Sequence, residues 1–469
     1  MDVNDSTLSG HMASTEMVTV LEECRVSPPS STAVDEKSLP LTFFDIPWIH
    51  QHLVQSVFFY EYPHPKTHFI ETTIPALKHS LSLTLKHFYP FAGNLLFPPN
   101  LGKPQIHYAD GDSVSLTFVE SSDDFSYLTA NHQRDVARLH PLIPQMPPVS
   151  VSNDTLVAPL VAIQVTLFPN SGISFGFTTN HVVADGNTFI RFVRLWASIN
   201  KLGEESMTLE GAILPFYDRT MVKDSNGVGS IFWQHMGKKK FGGYQPQLPT
   251  NNVLGTFLLS QAHLQRLKRW VMVQCPKLPH VSSLTVACSY TWACVAKARA
   301  RSSDEVDENE LQHFVFPVDC RARLNPPLPE NYFGNCLAPC FVAIKSTQLI
   351  DDEDGFVAAV NAMGEALGKT LQNEEGVLRG AEKWLSDLES LNKERTLGAS
   401  ASPKFAVYNI DFGFGRLQKR EMISIDETNS ISLHEGKTNM GDIEVGVALP
   451  KMTMDVFASI FANGLKVYD

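Results

Sequence analysis

The chain has 469 residues, 43% of them hydrophobic and 19% charged, and its 38 basic and 50 acidic residues give a formal net charge of −12. This length suits two domains of an ordinary globular protein. The acidic balance disfavours broad binding of nucleic acids or anionic membranes, because both present negative phosphates. The seven cysteines are irregularly spaced without further clustered ligands, so we expect reduced thiols and no metal site. Neither a signal peptide nor a long apolar span is recognisable, so we expect a cytoplasmic protein.

Strand-like and helix-like segments alternate along the chain, which predicts a mixed α/β fold. Residues 54–60 form an apolar run typical of a strand. Residues 67–88 place apolar side chains on one helical face. Two β-rich runs follow at 105–119 and 157–179, and Pro-Asn-Ser-Gly at 169–172 predicts a hairpin within the second.

The second half begins after a polar, turn-rich stretch. We expect an N-terminal domain over residues 17–205, a crossover loop over 206–255 and a C-terminal domain over 256–469. In the C-terminal domain the patterns predict helices at 260–272, 282–300 and 453–464, two helices within 354–391, and strands at 312–320, 404–415 and 442–449.

The motif with the clearest chemistry is His-Val-Val-Ala-Asp-Gly at residues 181–186. A strand is predicted to end just before it and a helix to begin just after it. His181 and Asp185 therefore lie at a strand-to-helix turn, where a scaffold can present a side chain to a cleft. A neutral histidine, with an ordinary pKa of about 6.5, can take a proton from a hydroxyl group. By itself the motif is weak evidence, because such a spacing often arises by chance, and a turn histidine with a helix-capping aspartate explains it more readily.

Two further motifs change this interpretation. Residues 332–336 read Tyr-Phe-Gly-Asn-Cys, and residues 406–415 form an aromatic segment ending in Asp-Phe-Gly-Phe-Gly. With the Leu-Pro-Leu-Thr-Phe-Phe-Asp opening at 39–45, their order and spacing resemble the plant BAHD acyltransferases, which carry His-x-x-x-Asp and Asp-Phe-Gly-Trp-Gly. The Tyr-Phe-Gly-Asn-Cys segment further resembles the subgroup that acts on anthocyanins and other flavonoid or phenolic glycosides.

The resemblance implies two similar-sized mixed-sheet α/β domains, like those of chloramphenicol acetyltransferase, with a solvent channel between them. It implies that the helices around 354–391 pack on the N-terminal domain. His181 would lie in the channel and deprotonate the acceptor hydroxyl, which attacks the thioester of an acyl-CoA. Acyl-CoA is then a cosubstrate, and no tightly bound cofactor is expected. The acceptor would be a sugar hydroxyl of a phenolic glycoside, and the enzyme a monomer.

The resemblance also assigns roles to further residues. Asp185 is expected to pair with an arginine, with Arg321 as the first candidate and Arg323 as the second. Phe414 stands where the family has tryptophan, so either another group stabilises the oxyanion or that tryptophan only packs. The glycine-rich motif is expected to shape the CoA side of the channel through Asp411, Gly413 and Gly415. Contacts with CoA are expected from Lys268, Arg269, Ser282 and Ser283, although a solvated basic helix explains them equally well.

The acyl donor is open at this point. A malonyl group needs a cation for its free carboxylate, whereas a hydroxycinnamoyl group needs a flat apolar slot. Many malonyl-using relatives place Lys or Arg just after the motif aspartate, where this chain has Asn187 and Phe189, followed by Arg191 and Arg194. We therefore expect a hydroxycinnamoyl donor, with malonyl as the alternative. A non-catalytic protein that binds CoA esters or phenolics is the alternative of another class.

Overall fold

A computed structural model of the protein describes residues 18–30, 36–98, 102–203, 214–237, 239, 241–245, 248–276, 281–302, 310–371 and 376–467. Its strands in the first half are β1 (Val18–Val26), β2 (Lys37–Pro40), β3 (Val54–Glu61), β4 (Asn94–Phe97), β5 (Gln105–Tyr108), β6 (Val114–Ser121), β7 (Arg134–Asp135), β8 (Ser150–Ser152), β9 (Thr155–Pro159), β10 (Val161–Phe168) and β11 (Gly172–Thr179). In the second half they are β12 (Asn252–Leu259), β13 (Leu311–Asp319), β14 (Leu337–Lys345), β15 (Thr396–Ser400), β16 (Leu417–Met422), β17 (Ser430–Glu435) and β18 (Ile443–Pro450).

The helices of the described ranges lie on and between these strands. They are α1 (Lys66–His68), α2 (Ile74–His87), α3 (Phe125–Thr129), α4 (Gly186–Leu202), α5 (Val228–Met236), α6 (Gln261–Gln274), α7 (Ser283–Ser302), α8 (Ser346–Leu349), α9 (Gly355–Leu371), α10 (Trp384–Ser390), α11 (Ile425–Thr428) and α12 (Lys451–Val467). None of them combines the length and the apolar character needed to cross a membrane.

Two large mixed sheets form the framework of the fold. The first has the strand order β1-β6-β10-β11-β3-β16, and the second has the order β14-β13-β15-β17-β18-β12-β7. A smaller sheet, β2-β5-β4-β9-β8, lies within the N-terminal half. Every residue of β10 and β11 is buried, which explains why their sequences are almost continuously apolar. The two-domain mixed α/β architecture expected from the sequence is therefore confirmed.

The two halves of the chain exchange strands. β16 comes from the C-terminal half but pairs with β3 in the first sheet, and β7 comes from the N-terminal half but pairs with β12 in the second. An ion pair between Arg134 and Glu421, 2.6 Å long, joins the two exchanged strands, and both side chains are at most 2% exposed. The halves are thus interlocked, and the expected C-terminal domain over 256–469 includes a strand of the other sheet.

Residues 354–391 divide between the two hydrophobic cores. Phe356 and Met363 of α9 lie in the C-terminal core, beside α7 and β14. Trp384 and Leu385 of α10 lie in the N-terminal core instead. Only the second of the two predicted helices therefore packs on the N-terminal half, because α9 covers the C-terminal sheet with its apolar face.

One predicted element is wrong. Residues 404–415 form no strand, but two short 3-10 turns, Pro403–Phe405 and Val407–Asn409. Ala406 between them has a left-handed backbone with φ of 47°. The apolar residues of this segment reach the core from a folded loop. Their spacing in the sequence resembles that of a strand, although the backbone is not extended.

The expected crossover loop over 206–255 lies partly outside the described residues and contains α5 and the first residues of β12. The other predicted helices and strands agree with the structure apart from two local details. The predicted helix over 67–88 contains a π-helical turn, Phe69–Thr73, before α2. The run 105–119 is split into β5 and β6, which join different sheets. Gly111, whose φ is 89°, lies in the turn between them. All seven cysteines are free thiols, and the described residues contain no group of three His, Cys, Asp or Glu suited to a metal ion.

Candidate active site

The His181–Asp185 turn is held by the structure on both sides of the histidine. It follows β11 and precedes α4, and Val182 and Val183 anchor it in the N-terminal core with no exposed area. Asp185 caps the helix, because its Oδ1 accepts a hydrogen bond of 3.0 Å from the backbone N–H of Thr188. A Cβ at Gly186 would lie 2.9 Å from the Phe405 ring, so a side chain there would displace the neighbouring loop.

The His181 imidazole is half-buried and stacked on an aromatic ring. Its centroid lies 3.8 Å from that of Trp48, with an interplanar angle of 16°. Nδ1 is buried and has no hydrogen-bond partner in the described part of the chain. Burial lowers the pKa of His181 below its ordinary 6.5, an effect opposed by Asp185 and by the histidine's own carbonyl. The ring is therefore neutral near pH 7, the form that a general base requires.

Asp185 forms an ion pair with Arg321, the first candidate that the family resemblance suggested. Its Oδ2 lies 2.8 Å from a guanidinium nitrogen of Arg321, and the two side chains are 1% and 3% exposed. Asp319, which is 48% exposed, contacts the same guanidinium at 3.0 Å. Arg323 donates instead to the backbone carbonyl of Asp319, so it is not the partner of Asp185.

The Tyr332–Cys336 segment packs directly against the His181–Asp185 turn. The backbone N–H of Cys336 donates to Asp185 Oδ2 over 3.3 Å, and the Asn335 amide donates to the backbone carbonyl of His181 over 2.9 Å. Arg321 also donates to the carbonyl of Gly334 over 3.0 Å. The segment whose sequence suggests the family and the acceptor class thus also holds the turn that carries the histidine.

Sequence reasoning missed two residues of the site, Asp45 and Trp48. Asp45 is the last residue of the Leu-Pro-Leu-Thr-Phe-Phe-Asp opening, and Trp48 follows it. Asp45 is fully buried and accepts hydrogen bonds from Asn335 and from Arg219, the latter over 3.2 Å. The Arg219 guanidinium also donates to the Tyr332 hydroxyl over 2.9 Å. The only available signal was the resemblance of the opening segment itself, because nothing in its composition indicates a contact with residue 181.

The Asp-Phe-Gly-Phe-Gly motif lies at the far end of α4. Asp411 Oδ2 lies 2.7 Å from the ammonium of Lys201, and its Oδ1 accepts from the backbone N–H groups of Gly413 and Gly415 over 2.8 and 2.9 Å. Both glycines have left-handed backbones, with φ of 97° and 89°. Gly186 and Lys201 are separated by about 22 Å along the helix, so this motif cannot contact the group on which His181 acts.

Position 414 is a packing position. The Phe414 ring contacts Tyr62 at 5.5 Å and Phe175 at 6.3 Å between centroids. Phe175 lies well inside β11, several residues before His181. A tryptophan at position 414 would therefore be too distant to donate to an oxyanion at His181, and the open question about this position is answered in favour of packing.

We expect Asp411→Asn to lower stability without impairing chemistry. The substitution removes the ion pair with Lys201 and the negative charge that strengthens the hydrogen bonds from Gly413 and Gly415 to Oδ1, which together are worth about 1–2 kcal/mol. Urea unfolding should report this loss while kcat stays within about twofold of the wild-type value. Lys201→Ala serves as the matched variant, since it removes the ion pair and leaves the turn intact. A large fall in kcat in Asp411→Asn with normal stability would contradict this assignment.

Three of the four residues expected to contact CoA come together. The Lys268 ammonium donates to the Ser283 hydroxyl over 2.8 Å. The Ser282 hydroxyl accepts a hydrogen bond of 3.0 Å from the backbone N–H of Thr285 in the first turn of α7. Arg269 is exposed on α6. The cluster is thus a basic side chain beside the start of a helix, and its contact with CoA stays a prediction.

Comparison with known proteins identifies the family to which the chain belongs. The model of the Transferase family matches residues 16–463. The chain belongs to this family, that of the BAHD acyltransferases. It is accordingly an acyltransferase that uses acyl-CoA as a cosubstrate.

Named members of the BAHD family match this chain over nearly its whole length. It is 41% identical to malonyl-coenzyme A:anthocyanin 3-O-glucoside-6''-O-malonyltransferase of Dahlia pinnata, over 96% of this chain and 98% of that protein. It is 41% identical to phenolic glucoside malonyltransferase 1 of Nicotiana tabacum, over 96% and 99%. It is 36% identical to coumaroyl-CoA:anthocyanidin 3-O-glucoside-6''-O-coumaroyltransferase 1 of Arabidopsis thaliana, over 96% and 98%. The crystal structure of vinorine synthase shares the fold, with a TM-score of 0.66 at 19% identity over 94% of this chain and 96% of that one.

Proposed function

We propose that this BAHD acyltransferase moves a malonyl group from malonyl-CoA to a sugar hydroxyl of an anthocyanin or related phenolic glucoside. The observation that carries the proposal is the His181 ring, which is half-buried where residues of both halves meet, with its Nδ1 edge turned inward. The exposed part of the ring is then the Nε2 edge. This is the edge that can take a proton from a bound hydroxyl group.

The proposed reaction is a direct transfer between two bound substrates. His181 Nε2 takes the proton of the sugar hydroxyl while the hydroxyl oxygen attacks the carbonyl carbon of the thioester. The tetrahedral intermediate collapses, the carbon–sulfur bond breaks, and the imidazolium returns the proton to the leaving CoA sulfur. Protons and electrons balance without a cofactor, and the histidine ends the cycle in the neutral form.

An acyl-enzyme is not supported by the surroundings of His181. Within the described ranges no Ser, Thr or Cys side chain hydrogen-bonds to the His181 ring, as an activated nucleophile would. Cys336 is near in the fold, but it is fully buried. Burial also raises the pKa of its thiol well above the ordinary value, so the reactive thiolate is not populated.

The structure changes the argument about the acyl donor. The lack of a cation at positions 187 and 189 favours an aromatic donor, but the Phe189 ring is only 9% exposed and packs against Phe177, 5.3 Å away between centroids. It belongs to the core and carries no information about the donor. The two relatives at 41% identity are named as malonyltransferases, and the coumaroyltransferase is at 36%. These identities favour malonyl-CoA, and a hydroxycinnamoyl donor is the second candidate because position 187 lacks a cation.

Arg194 supplies the cation that a malonyl carboxylate needs. Its guanidinium donates to the backbone carbonyl of Phe405 over 2.8 Å, and the Phe405 ring lies against Gly186. Arg194 makes no ion pair with a carboxylate of the described residues, whereas Arg191 is 2.6 Å from Glu330. Partial burial and repulsion by Arg191 lower the pKa of Arg194, against the attraction of Glu435 and Glu330.

We expect Arg194→Gln to raise the KM for malonyl-CoA by roughly tenfold, because it removes a charge-assisted hydrogen bond to the carboxylate. The KM for coumaroyl-CoA should change little. Arg191→Gln is the matched control on the same helix, since its charge is already paired. Equal effects of Arg194→Gln on both donors would remove Arg194 from donor recognition.

The proposed function is tested by competition between donors. The purified enzyme is offered malonyl-CoA and coumaroyl-CoA together with a panel of phenolic glucosides, and the products are read by mass spectrometry. Malonylated glucosides should dominate. Predominantly coumaroylated products would select the second candidate, and no acylated glucoside with any acceptor would overturn the proposed substrate class.

A further inference from the structure

Asn335 makes a set of contacts that fixes the orientation of its side-chain amide. It has no exposed area, and its Nδ2 donates to the carbonyls of His181 and Val182 and to Asp45 Oδ1 over 2.9, 3.3 and 3.0 Å. A flipped amide would place its oxygen against three oxygen acceptors. Nδ2 therefore faces the His181–Val182 backbone, and Oδ1 is buried with no hydrogen-bond partner among the described residues.

Asn335 is itself held in place by the Asp45 carboxylate. The backbone N–H of Asn335 also donates to Asp45 Oδ1, over 3.1 Å. Asp45 Oδ2 in turn accepts from the Thr42 backbone and hydroxyl over 2.9 and 2.7 Å and from Arg219 over 3.2 Å. With both residues fully buried and the carboxylate paired, Asn335 has little freedom to move relative to His181.

The buried edge of the imidazole and the Asn335 amide each leave one polar atom without a partner among the described residues. His181 Nδ1 is buried without a hydrogen-bond partner in the described chain, and so is Asn335 Oδ1. Both the carbonyl of His181, which Asn335 binds, and the Asn335 amide stabilise the protonated form of the ring. Nδ1 and Oδ1 do not hydrogen-bond to each other, but they belong to two residues that Asn335 Nδ2 joins through the His181 carbonyl, so each is a candidate partner for the other.

We propose that Asn335 is a positioning residue that keeps the proton of neutral His181 on Nδ1, so that Nε2 is free to act as the base. It acts by holding the His181 carbonyl and by offering its own Oδ1 to the Nδ1 edge. This role rests on the proposed function, in which Nε2 takes the proton of the acceptor hydroxyl. When the imidazolium forms, the same two oxygens stabilise it, and a neutral amide does so without adding a negative charge beside the thioester.

The charges around His181 determine how substitutions at position 335 act. Among the described residues, Asp185 and Asp45 are the carboxylates that influence the ring, and they are paired with Arg321 and Arg219. Asn335→Leu removes the stabilisation of the imidazolium and should lower the pKa of His181. Asn335→Ala removes the same amide from a smaller side chain and should lower it as well. A residue that only supports the fold would produce neither shift.

The test measures the pKa of His181 without requiring turnover. Diethyl pyrocarbonate reacts with the unprotonated imidazole, so the extent of His181 modification against pH, read by peptide mass spectrometry, gives the midpoint. We expect the midpoint to fall in both Asn335→Leu and Asn335→Ala. His52, whose side chain is 61% exposed, is modified in the same samples and serves as the internal reference for the extent of reaction. The kcat of both variants should fall by roughly 10–100-fold while the KM for acyl-CoA stays within about twofold.

Thr188→Val is the matched control variant. The Thr188 hydroxyl lies 3.2 Å from the carbonyl of Gly334, so it joins the same two segments without reaching the imidazole. This variant should lose some stability and keep the wild-type midpoint. An unchanged midpoint in both Asn335 variants, or an equal shift in Thr188→Val, would overturn the assignment. The midpoint of modification does not depend on activity. A wild-type enzyme that transfers no acyl group would therefore contradict the proposed function, while the effect of Asn335 on His181 could still be measured.

Discussion

Replacing His181 by alanine is expected to lower kcat for acyl transfer by roughly 10²–10⁴-fold, the contribution of a well-placed general base. The KM values should stay within about threefold, because the substrates are bound by other groups. His181→Gln should lose as much activity while filling more of the space beside Trp48. Steady-state kinetics with malonyl-CoA and a phenolic glucoside provide the measurement.

The control for this prediction is His52→Ala. This exposed histidine, 3.5 Å from Glu427, is not part of the site, and its loss should leave kcat unchanged. The unfolding free energy of each variant must also be measured, since a stacked ring is removed from Trp48 in one and not the other. If a stable His181→Ala enzyme retained more than about a tenth of the wild-type kcat, another group would have to be the base.

The second large effect is expected on stability. Asp185→Asn should lower the unfolding free energy by about 3 kcal/mol, because it leaves the buried Arg321 with only its more exposed partner Asp319. The cap on α4 is weakened by the same substitution, since the carboxylate accepts from Thr188. Chemical denaturation is the appropriate measurement, with the activity of the folded fraction determined alongside.

Asp319→Asn is the matched control, because Asp319 contacts the same guanidinium from the surface. Its side chain is 48% exposed, so its loss should cost less than about 1 kcal/mol. Comparable losses from the two substitutions would show that burial does not determine the strength of the Asp185 pair. The activity of folded Asp185→Asn should also fall, since the turn that carries His181 loses its contact with Cys336.

Periodicity predicted most of the regular elements because burial imposes it directly. The apolar stripe of α4, including Phe192 and Trp196, is buried as its spacing required. The strand predicted over 404–415 is wrong because the apolar residues at 408, 410, 412 and 414 alternate as in a strand. The carboxylate of Asp411 accepts from backbone N–H groups that a strand would have paired. A side chain that substitutes for a neighbouring strand leaves no signal in hydrophobic periodicity.

The site was only partly predictable for a different reason. His181 and Asp185 could be found in the sequence because they are adjacent in one turn. Trp48, Asp45 and Asn335 approach that turn from segments well over a hundred residues away, and only the fold brings them together. The exchange of β7 and β16 between the two sheets could not be predicted either, because the pattern of a single strand does not indicate which strand it pairs with.

The most direct test of direct transfer is a rapid-quench experiment on the wild-type enzyme. The enzyme is mixed with malonyl-CoA in the absence of an acceptor, and free CoA thiol and the intact protein mass are followed over the first turnovers. We expect no stoichiometric burst of CoA and no acylated protein until a phenolic glucoside is added. A burst equal to the enzyme concentration, with a malonyl group on the protein, would contradict the account of His181 as a base acting on the acceptor hydroxyl.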